Sequence, residues 1–291
     1  MQSQNHKYYL GAPVWTCEKW KGKLFPASTK RADWLKSYTQ LFNTVEGNTT
    51  FYAMPSTQTV QKWAEQASEG FRFSLKFPGV ISHECRLAGA RVETELFCES
   101  LEILHDVGKL GPTFLQLPPD FDHQEYPRLV EYLNGLPSKF PFAIEVRHRD
   151  FFETDWGQQL NELLGQLNMD RVIFDSRALF HFPPADVGES EARRRKPRLP
   201  VKKLAVGKYP FLRFIGVNDV SKLGPWIDEW TTEIANWISQ GKVPYVFCHT
   251  PDDTFAPDFA KLFHESLQQK VAGLNDLPSW TGKTETQLGL F

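Results

Sequence analysis

Eight short runs of strand-forming residues recur along the chain, and most end in a charged or hydrogen-bonding residue just where the run gives way to a loop. The runs cover residues 8–15, 44–52, 71–77, 113–117, 142–148, 171–176, 211–216 and 245–250. Between most of them lies an amphipathic stretch long enough for a helix. Strict alternation of strand and helix implies a parallel sheet with helices on its faces. Eight such units predict an α/β fold closed into a TIM (β/α)8 barrel, in which side chains at the C-terminal strand ends converge on one pocket. A length of 291 residues suits a single barrel of about 250 residues with modest insertions.

The helices are legible where they matter. Ser56 offers an N-cap, and Val60, Trp63, Ala64 and Ala67 follow at helical spacing. Leu96, Leu101, Leu104 and Val107 mark a second helix, before the fourth strand. Pro225 sits in a first turn ahead of Trp226, Ile227, Trp230, Ile234, Trp237 and Ile238, a stripe that suits a helix lying on a sheet. These tryptophans read as core. No linker divides residues 1–278, and residues 279–291 read as a flexible tail.

Composition narrows the function classes. With 35 acidic residues against 33 basic ones, no global field marks a nucleic-acid coat or a membrane-surface protein. No apolar run approaches the roughly 20 residues needed to span a bilayer. Cys17, Cys85, Cys98 and Cys248 show neither zinc-ribbon spacing nor a redox motif, and Met1, Gln2, Ser3 and Gln4 open no apolar signal core. A reducing cytoplasm is the expected home.

One segment breaks the rhythm. Between the sixth and seventh strands, residues 183–210 are rich in proline and carry Arg193, Arg194, Arg195, Lys196, Arg198, Lys202 and Lys203 without a clear helical period. A connection this long is an active-site loop, a binding loop or a disordered excursion. Its expected place on the C-terminal face suits phosphate binding by point charge and by bidentate guanidinium contacts. The competing reading is a solvated run of charge.

The strand ends carry the candidate chemistry. Along residues 44–52, alternation puts Glu46, Asn48 and Thr50 on one side, the barrel interior if the apolar neighbours face the helices. In residues 142–148, Glu145 and Arg147 share a side and His148 sits at the mouth. A buried carboxylate needs a cation or several donors, so Glu145 is expected to pair with Arg147 or Lys76. Such a network serves catalysis or only fixes the barrel, and for Arg147 the second role weighs at least as much. Lys76 ends the third strand, His83 and Glu84 follow in its loop, Gln116 lies in the fourth strand, Asp175 and Arg177 end the sixth, and His249 ends the eighth. Collected at one rim, Glu46, His83, Glu145, His148, Asp175 and His249 would supply mixed ligands for zinc, manganese or iron, a divalent metal site without any local ligand motif.

The ordered set formed by residues 11–15, 45–52, 73–78, 81–83, 115–118, 144–148 and 213–216 resembles the YecE-like family, also called domain of unknown function 72. Gly47 with Asn48, and His249 followed by Thr250, Pro251 and Asp252, look like the bacterial YecE-type branch. The resemblance implies a TIM barrel and supplies no reaction. Glu46, Asn48, Thr50, Tyr52, Lys76, His83, Gln116, Glu145, Arg147, His148, Asp175 and Arg213 match its motif positions. From these we expect Glu46, Lys76, Glu145, His148 and Asp175 to be catalytic. Asn48, Thr50, Tyr52, His83, Gln116, Arg147, Arg177, Arg213 and His249 are expected to bind substrate, with Arg193, Arg194, Arg195, Lys196 and Arg198 holding phosphate.

The last five residues form a second element. Gln287, Leu288, Gly289, Leu290 and Phe291 resemble the pentapeptide by which bacterial polymerases and repair factors dock on the DNA sliding clamp. In such a peptide a Leu and a Phe fill an apolar pocket while the Gln orients the strand. The alternative is a hydrophobic tail packed on its own barrel. Three function classes follow. One is a metal- or acid/base-assisted hydrolase of nucleic acid or another phosphate-containing substrate, tethered to the clamp. Another is a hydrolase or isomerase of a sugar or phosphorylated metabolite. The last is a non-catalytic clamp adaptor.

Overall fold

A computed structural model describes residues 6–280. Eight strands alternate with helices: β1 Tyr9–Gly11, β2 Thr44–Gly47, β3 Arg72–Leu75, β4 Thr113–Gln116, β5 Phe142–Glu145, β6 Asp170–Asp175, β7 Phe211–Ile215 and β8 Tyr245–His249. All ladder pairs are parallel. The expected closed eight-strand ladder is not formed. The strands divide into a six-stranded sheet in the order β1-β8-β7-β6-β5-β4 and a two-stranded sheet of β2 and β3.

The two breaks have local causes. Between β1 and β2, Glu46 N–H donates to Ala12 O at 3.1 Å and side chains take the place of the rest of the backbone pairing. Leu10 N–H donates to Asn43 Oδ1 at 2.7 Å, and Asn43 Nδ2 donates to Tyr8 O at 3.0 Å. Ala12 N–H donates to the Tyr38 hydroxyl at 2.8 Å, which in turn donates to Thr44 O at 3.0 Å. Between β3 and β4 only two isolated bridges form, Phe73 with Leu110 and Lys76 with Phe114. Three steps along one chain thus face four along the other, a bulge-like slip, and Pro112 within it has no N–H to give.

Close approach at the first break depends on Gly11. A Cβ there would lie 2.1 Å from Thr44 O and 3.0 Å from Tyr38 Oη. Gly11→Ala is therefore expected to lower stability by about 1–3 kcal/mol, the usual cost of overpacking. A urea midpoint equal to that of the wild type would show that β1 and β2 do not press together here.

Helices follow their sequence signals with informative exceptions. The Ser56 hydroxyl caps helix Thr57–Gln66 by accepting from Thr59 N–H at 3.2 Å. Helix Gly224–Ser239 buries Ile227, Trp230, Ile234 and Trp237 as expected. Helix Arg91–Asp106 buries Leu101 and Leu104 as expected, with Phe97 beside them, while Leu96 and Val107, the residue just past its end, are exposed. The basic connection also departs from expectation, since Val187–Arg195 is a helix. Asp186 caps it by accepting from Glu189 N–H at 2.7 Å, and Arg193, Arg194 and Arg195 occupy its last turn, where positive charge suits the helix dipole. No helix among the described residues is long and apolar enough to cross a membrane.

Alternation sorts the strands' inner faces into two levels. Tyr9, Phe114, Ala143, Val172, Phe211, Tyr245 and Phe247 form an apolar plug, with the Tyr9 and Tyr245 rings stacked 4.4 Å apart. Two residues beyond Phe114, Ala143, Phe211 and Phe247 the side chains turn polar: Gln116, Glu145, Arg213 and His249. The site is built at that second level.

Candidate active site

Arg213 is the centre of the site and ties the two sheets together. From β7 its Nε and Nη2 donate to Glu46 Oε2 and Oε1 on β2 at 2.8 and 2.7 Å, a bidentate pair. Its Nη1 donates to Glu145 Oε2 on β5 at 2.5 Å. The Phe114 and Phe174 rings flank the guanidinium at 5.1 and 5.3 Å, a cation–π setting. Arg147 Nε donates to the other Glu145 oxygen at 2.7 Å, and its Nη2 donates to Gln116 Oε1 at 2.9 Å. Asn48 Nδ2 donates to Glu46 Oε1 at 2.7 Å, and His249 Nε2 lies 3.0 Å from Glu46 Oε2.

These pairings decide protonation. Burial alone would raise the Glu46 carboxyl, but Arg213 and then His249 hold it well below the usual carboxylate range. Burial likewise opposes ionisation of Glu145, and Arg213, Arg147 and Lys76 overcome it, bringing the carboxyl down to about 2. Both carboxylates are thus ionised and weakly basic. His249, lowered by burial to about 4 despite Glu46, is neutral near pH 7 and donates Nε2–H to that carboxylate.

Lys76, immediately after β3, differs from the arginines. It is 8% exposed, and its ammonium lies 3.8 Å from the centre of the Phe51 ring. Among the described residues it has neither an ion-pair partner within 4.0 Å nor a side-chain hydrogen bond, and its nitrogen is not among the fully enclosed unpaired atoms. Burial, then Arg213, lowers it to about 7, against which Glu145 pulls only partly. Its charge therefore changes near neutral pH. Lys196 reaches the same field from the basic connection. Burial and Arg213 lower it to about 8. Asp253, after β8, is raised by burial to about 6, against which the Lys196 charge pulls.

His83 stands beside Lys76 on a strained support. It is edge-on to Phe51, with ring centres 5.0 Å apart, and its Nδ1 is 2.8 Å from Ser82 Oγ. Burial, then Lys76, lowers it to about 4. Its segment, Val80–Glu84, is a π-helical turn followed by left-handed Arg86 (φ 48°) and Leu87 (φ 68°). Ion pairs from Arg86 to Glu125 and Asp120 brace that bend. π-turns and left-handed non-glycine residues concentrate at functional sites.

Several expected members lie elsewhere. Asp175 shares the outward face of β6 with Ile173, while Phe174 turns inward. Its Oδ2 accepts from Trp230 Nε1 at 2.7 Å and from Arg177 Nη2 at 2.8 Å, so Asp175 and Arg177 belong to the helical shell with Glu229. β2 ends at Gly47 and residues Thr49–Tyr52 turn into a short helix, so period-two alternation stops before Thr50. Thr50 is buried and donates to Gly47 O at 2.9 Å, and Tyr52 is 84% exposed. His148 lies beside the cluster, 3.2 Å from Asp150, which also takes His123. Arg194, Arg195 and Arg198 are exposed and Arg193 donates to Leu179 O at 3.0 Å, leaving Lys196 as the member of the basic set that reaches the site. Phe51, Phe114, Phe174 and Asp253 carry no polar strand-end signature and were missed; only the position of Asp253 just past β8 could have drawn notice.

The metal expectation is not met. Among the described residues no group of three or more His, Cys, Asp or Glu is placed to hold an ion. Glu46 and Glu145 spend their oxygens on Arg213 and Arg147, and the surrounding cations would repel another. Cys17, Cys85, Cys98 and Cys248 are free thiols.

A parallel α/β fold whose strand ends converge on a buried guanidinium–carboxylate cluster defines a barrel-like class of protein with a preformed polar site. Within that class the chain belongs to the family described as protein of unknown function DUF72, which matches residues 9–283. It is 36% identical to the UPF0759 protein YecE of Escherichia coli (strain K12) over 273 residues, 93% of this chain and 96% of that protein. Similarity to the UPF0759 protein YunF of Bacillus subtilis (strain 168) is 26% over 156 residues, 52% of this chain and 54% of the other. A crystal structure of a DUF72 family protein from Enterococcus faecalis V583 superposes with a TM-score of 0.66 at 19% identity, covering 94% of this chain and 98% of that one. At that identity the likeness concerns the fold.

Proposed function

We propose that the protein is an acid–base enzyme for a small phosphate-bearing substrate, its two sheets working together as a (β/α)8 barrel with Lys76 as the proton-exchanging group. One observation carries the reading: two arginines and two lysines share a field with two buried carboxylates, and both carboxylates are committed to the arginines. Asp253 offsets part of the remainder, and positive charge is still left over for an anion. Glu46 and Glu145 are too weakly basic to take a proton near neutrality. Their part is to hold Arg213 and Arg147 in place, while Lys76 exchanges a proton near pH 7, where general acid–base catalysis is most effective. The chemistry this supports is hydrolysis or isomerisation. Burial of the cluster favours a small molecule or a terminal nucleotide over the backbone of a duplex.

Inorganic phosphate and a panel of phosphorylated sugars and nucleotides test this by thermal shift and calorimetry. We expect at least one to raise the melting temperature, and Lys196→Met to weaken its binding about tenfold, the loss of one charge-assisted contact of roughly 1.4 kcal/mol. A panel without any stabilising anion would overturn the reading.

The clamp tether belongs to the same proposal and rests on sequence alone, since Gln287, Leu288, Leu290 and Phe291 lie outside the described residues. A peptide spanning 281–291 is expected to bind purified bacterial sliding clamp with modest affinity, because a short segment is ordered as it binds. Replacing Leu290 and Phe291 with Ala should remove the signal. Absence of binding at high micromolar concentration by both peptide and full-length protein would remove the tether.

A further inference from the structure

We propose that Lys76 is a nucleophile that forms an imine with the carbonyl group of a small aldehyde or ketone carrying a phosphate or carboxylate. This rests on the anion-binding reading above and adds to it a substrate class and a covalent step. The geometry of Phe51, His83 and the unpartnered cations points to it.

The amine lies against the face of Phe51 rather than against a carboxylate, so no counter-ion has to be displaced before it attacks. Arg213 is close enough to disfavour its protonation, as a neighbouring cation does in amine-based catalysis. His83 packs edge-on against the same Phe51 ring, on a braced π-turn anchored by buried Ile81 and Ser82. The Ser82 hydroxyl lies 3.5 Å from Pro78 O and 2.8 Å from His83 Nδ1. If Ser82 donates to Pro78 O and His83 Nδ1–H donates to Ser82, Nε2 is left as a free base. For the substrate's anionic end, Lys196 and Nη1 of Arg147 remain without partners among the described residues.

The step balances with the uptake of one proton from solvent. The neutral amine adds its electron pair to the carbonyl carbon, and the carbonyl oxygen takes that solvent proton to become a hydroxyl. His83 accepts the proton shed by nitrogen and returns it to that hydroxyl. Water leaves and the C=N bond forms. The cationic imine then withdraws electrons from the adjacent carbon, which is the chemistry of carbon–carbon cleavage or of proton removal beside a carbonyl.

The test uses the full-length protein with dihydroxyacetone phosphate or pyruvate, each added with and without sodium borohydride, followed by intact mass and peptide mapping. The phosphate and carboxylate probes distinguish the two anionic ends. We expect borohydride-dependent attachment of one probe, with loss of one water and gain of two hydrogens, confined to the peptide carrying Lys76. Labelling should vanish in Lys76→Met and slow about tenfold in His83→Gln at neutral pH. Since mapping is done on the wild type, the result does not depend on either variant folding. Label spread over exposed lysines without preference for Lys76 would overturn the proposal. So would an unlabelled Lys76 in a protein whose melting temperature the same probe raises, an outcome that leaves the anion-binding reading intact. Neither labelling nor a thermal shift with any anion would remove both.

Discussion

Replacing Arg213 with methionine will destabilise the protein by about 3–5 kcal/mol, the cost of breaking a buried ion pair by removing one partner, and by more if both carboxylates are stranded. Arg213 donates to three of the four oxygens of Glu46 and Glu145, and all three side chains are almost wholly buried. In a chain of this size the melting temperature should fall by roughly 10 °C. The pH dependence gives a sharper sign. In the wild type both carboxyls are held below the ordinary glutamate value of 4.5, so their contribution is present above that value and is lost as pH falls toward 2. Without Arg213, burial outweighs the remaining partners and raises Glu46, so stability is lost as pH climbs above 4.5. Between pH 4.5 and 7 the variant should therefore weaken relative to the wild type, beyond whatever slope His83, His249 and Asp253 give the wild type itself. Adding Glu46→Gln and Glu145→Gln should restore much of the loss. Urea titrations at pH 4.5 and 7 decide it: a single variant within 1 kcal/mol of wild type at both would show that the cluster does not hold the two sheets together.

Lys76→Met should do the reverse, removing anion binding and any chemistry while stabilising the fold. Burial lowers this amine from 10.5 to about 7. Below pH 7 the folded and unfolded chains both carry the proton and the full cost of burying the ammonium is borne. Between about pH 7 and 10.5 the unfolded chain holds more protons, so wild-type stability rises with pH across that window. The variant lacks this slope. It should be more stable than wild type at pH 6 by on the order of 5 kcal/mol, taking about 1.4 kcal/mol per tenfold change in proton affinity, with the gap closing toward pH 10. A variant less stable than wild type at pH 6, or a constant gap, would mean that Lys76 is a packed and satisfied side chain and not a poised one.

Side-chain periodicity reached far into this site. Glu46, Glu145, Arg147 and Gln116 stand on inward faces because a strand turns alternate residues to opposite sides, and their need for partners was legible from the cost of burying charge. The same rule failed at Asp175, because both faces of β6 carry apolar residues: Val172 and Phe174 inside, Ile173 outside. Nothing local says which face is which. It failed again at Thr50 and Tyr52, where the chain turns into a helix and period two no longer applies.

By itself the sequence determined the number and order of the strands, their parallel arrangement and the family, because alternating hydrophobic periods and strand-end motifs are local properties of the chain. Only the tertiary structure decided that the ladder divides into six strands and two, where Asn43 and Tyr38 replace most of the backbone pairing on one side and the Gly111–Pro112 slip interrupts it on the other. It alone matched Arg213 with Glu46 across 167 positions of chain, left Lys76 unpaired over Phe51 and left Lys196 half-buried while Arg194, Arg195 and Arg198 stayed exposed. Which charges meet, and which is left over, depends on where distant segments place their side chains, and charge pairing has no sequence period to announce it.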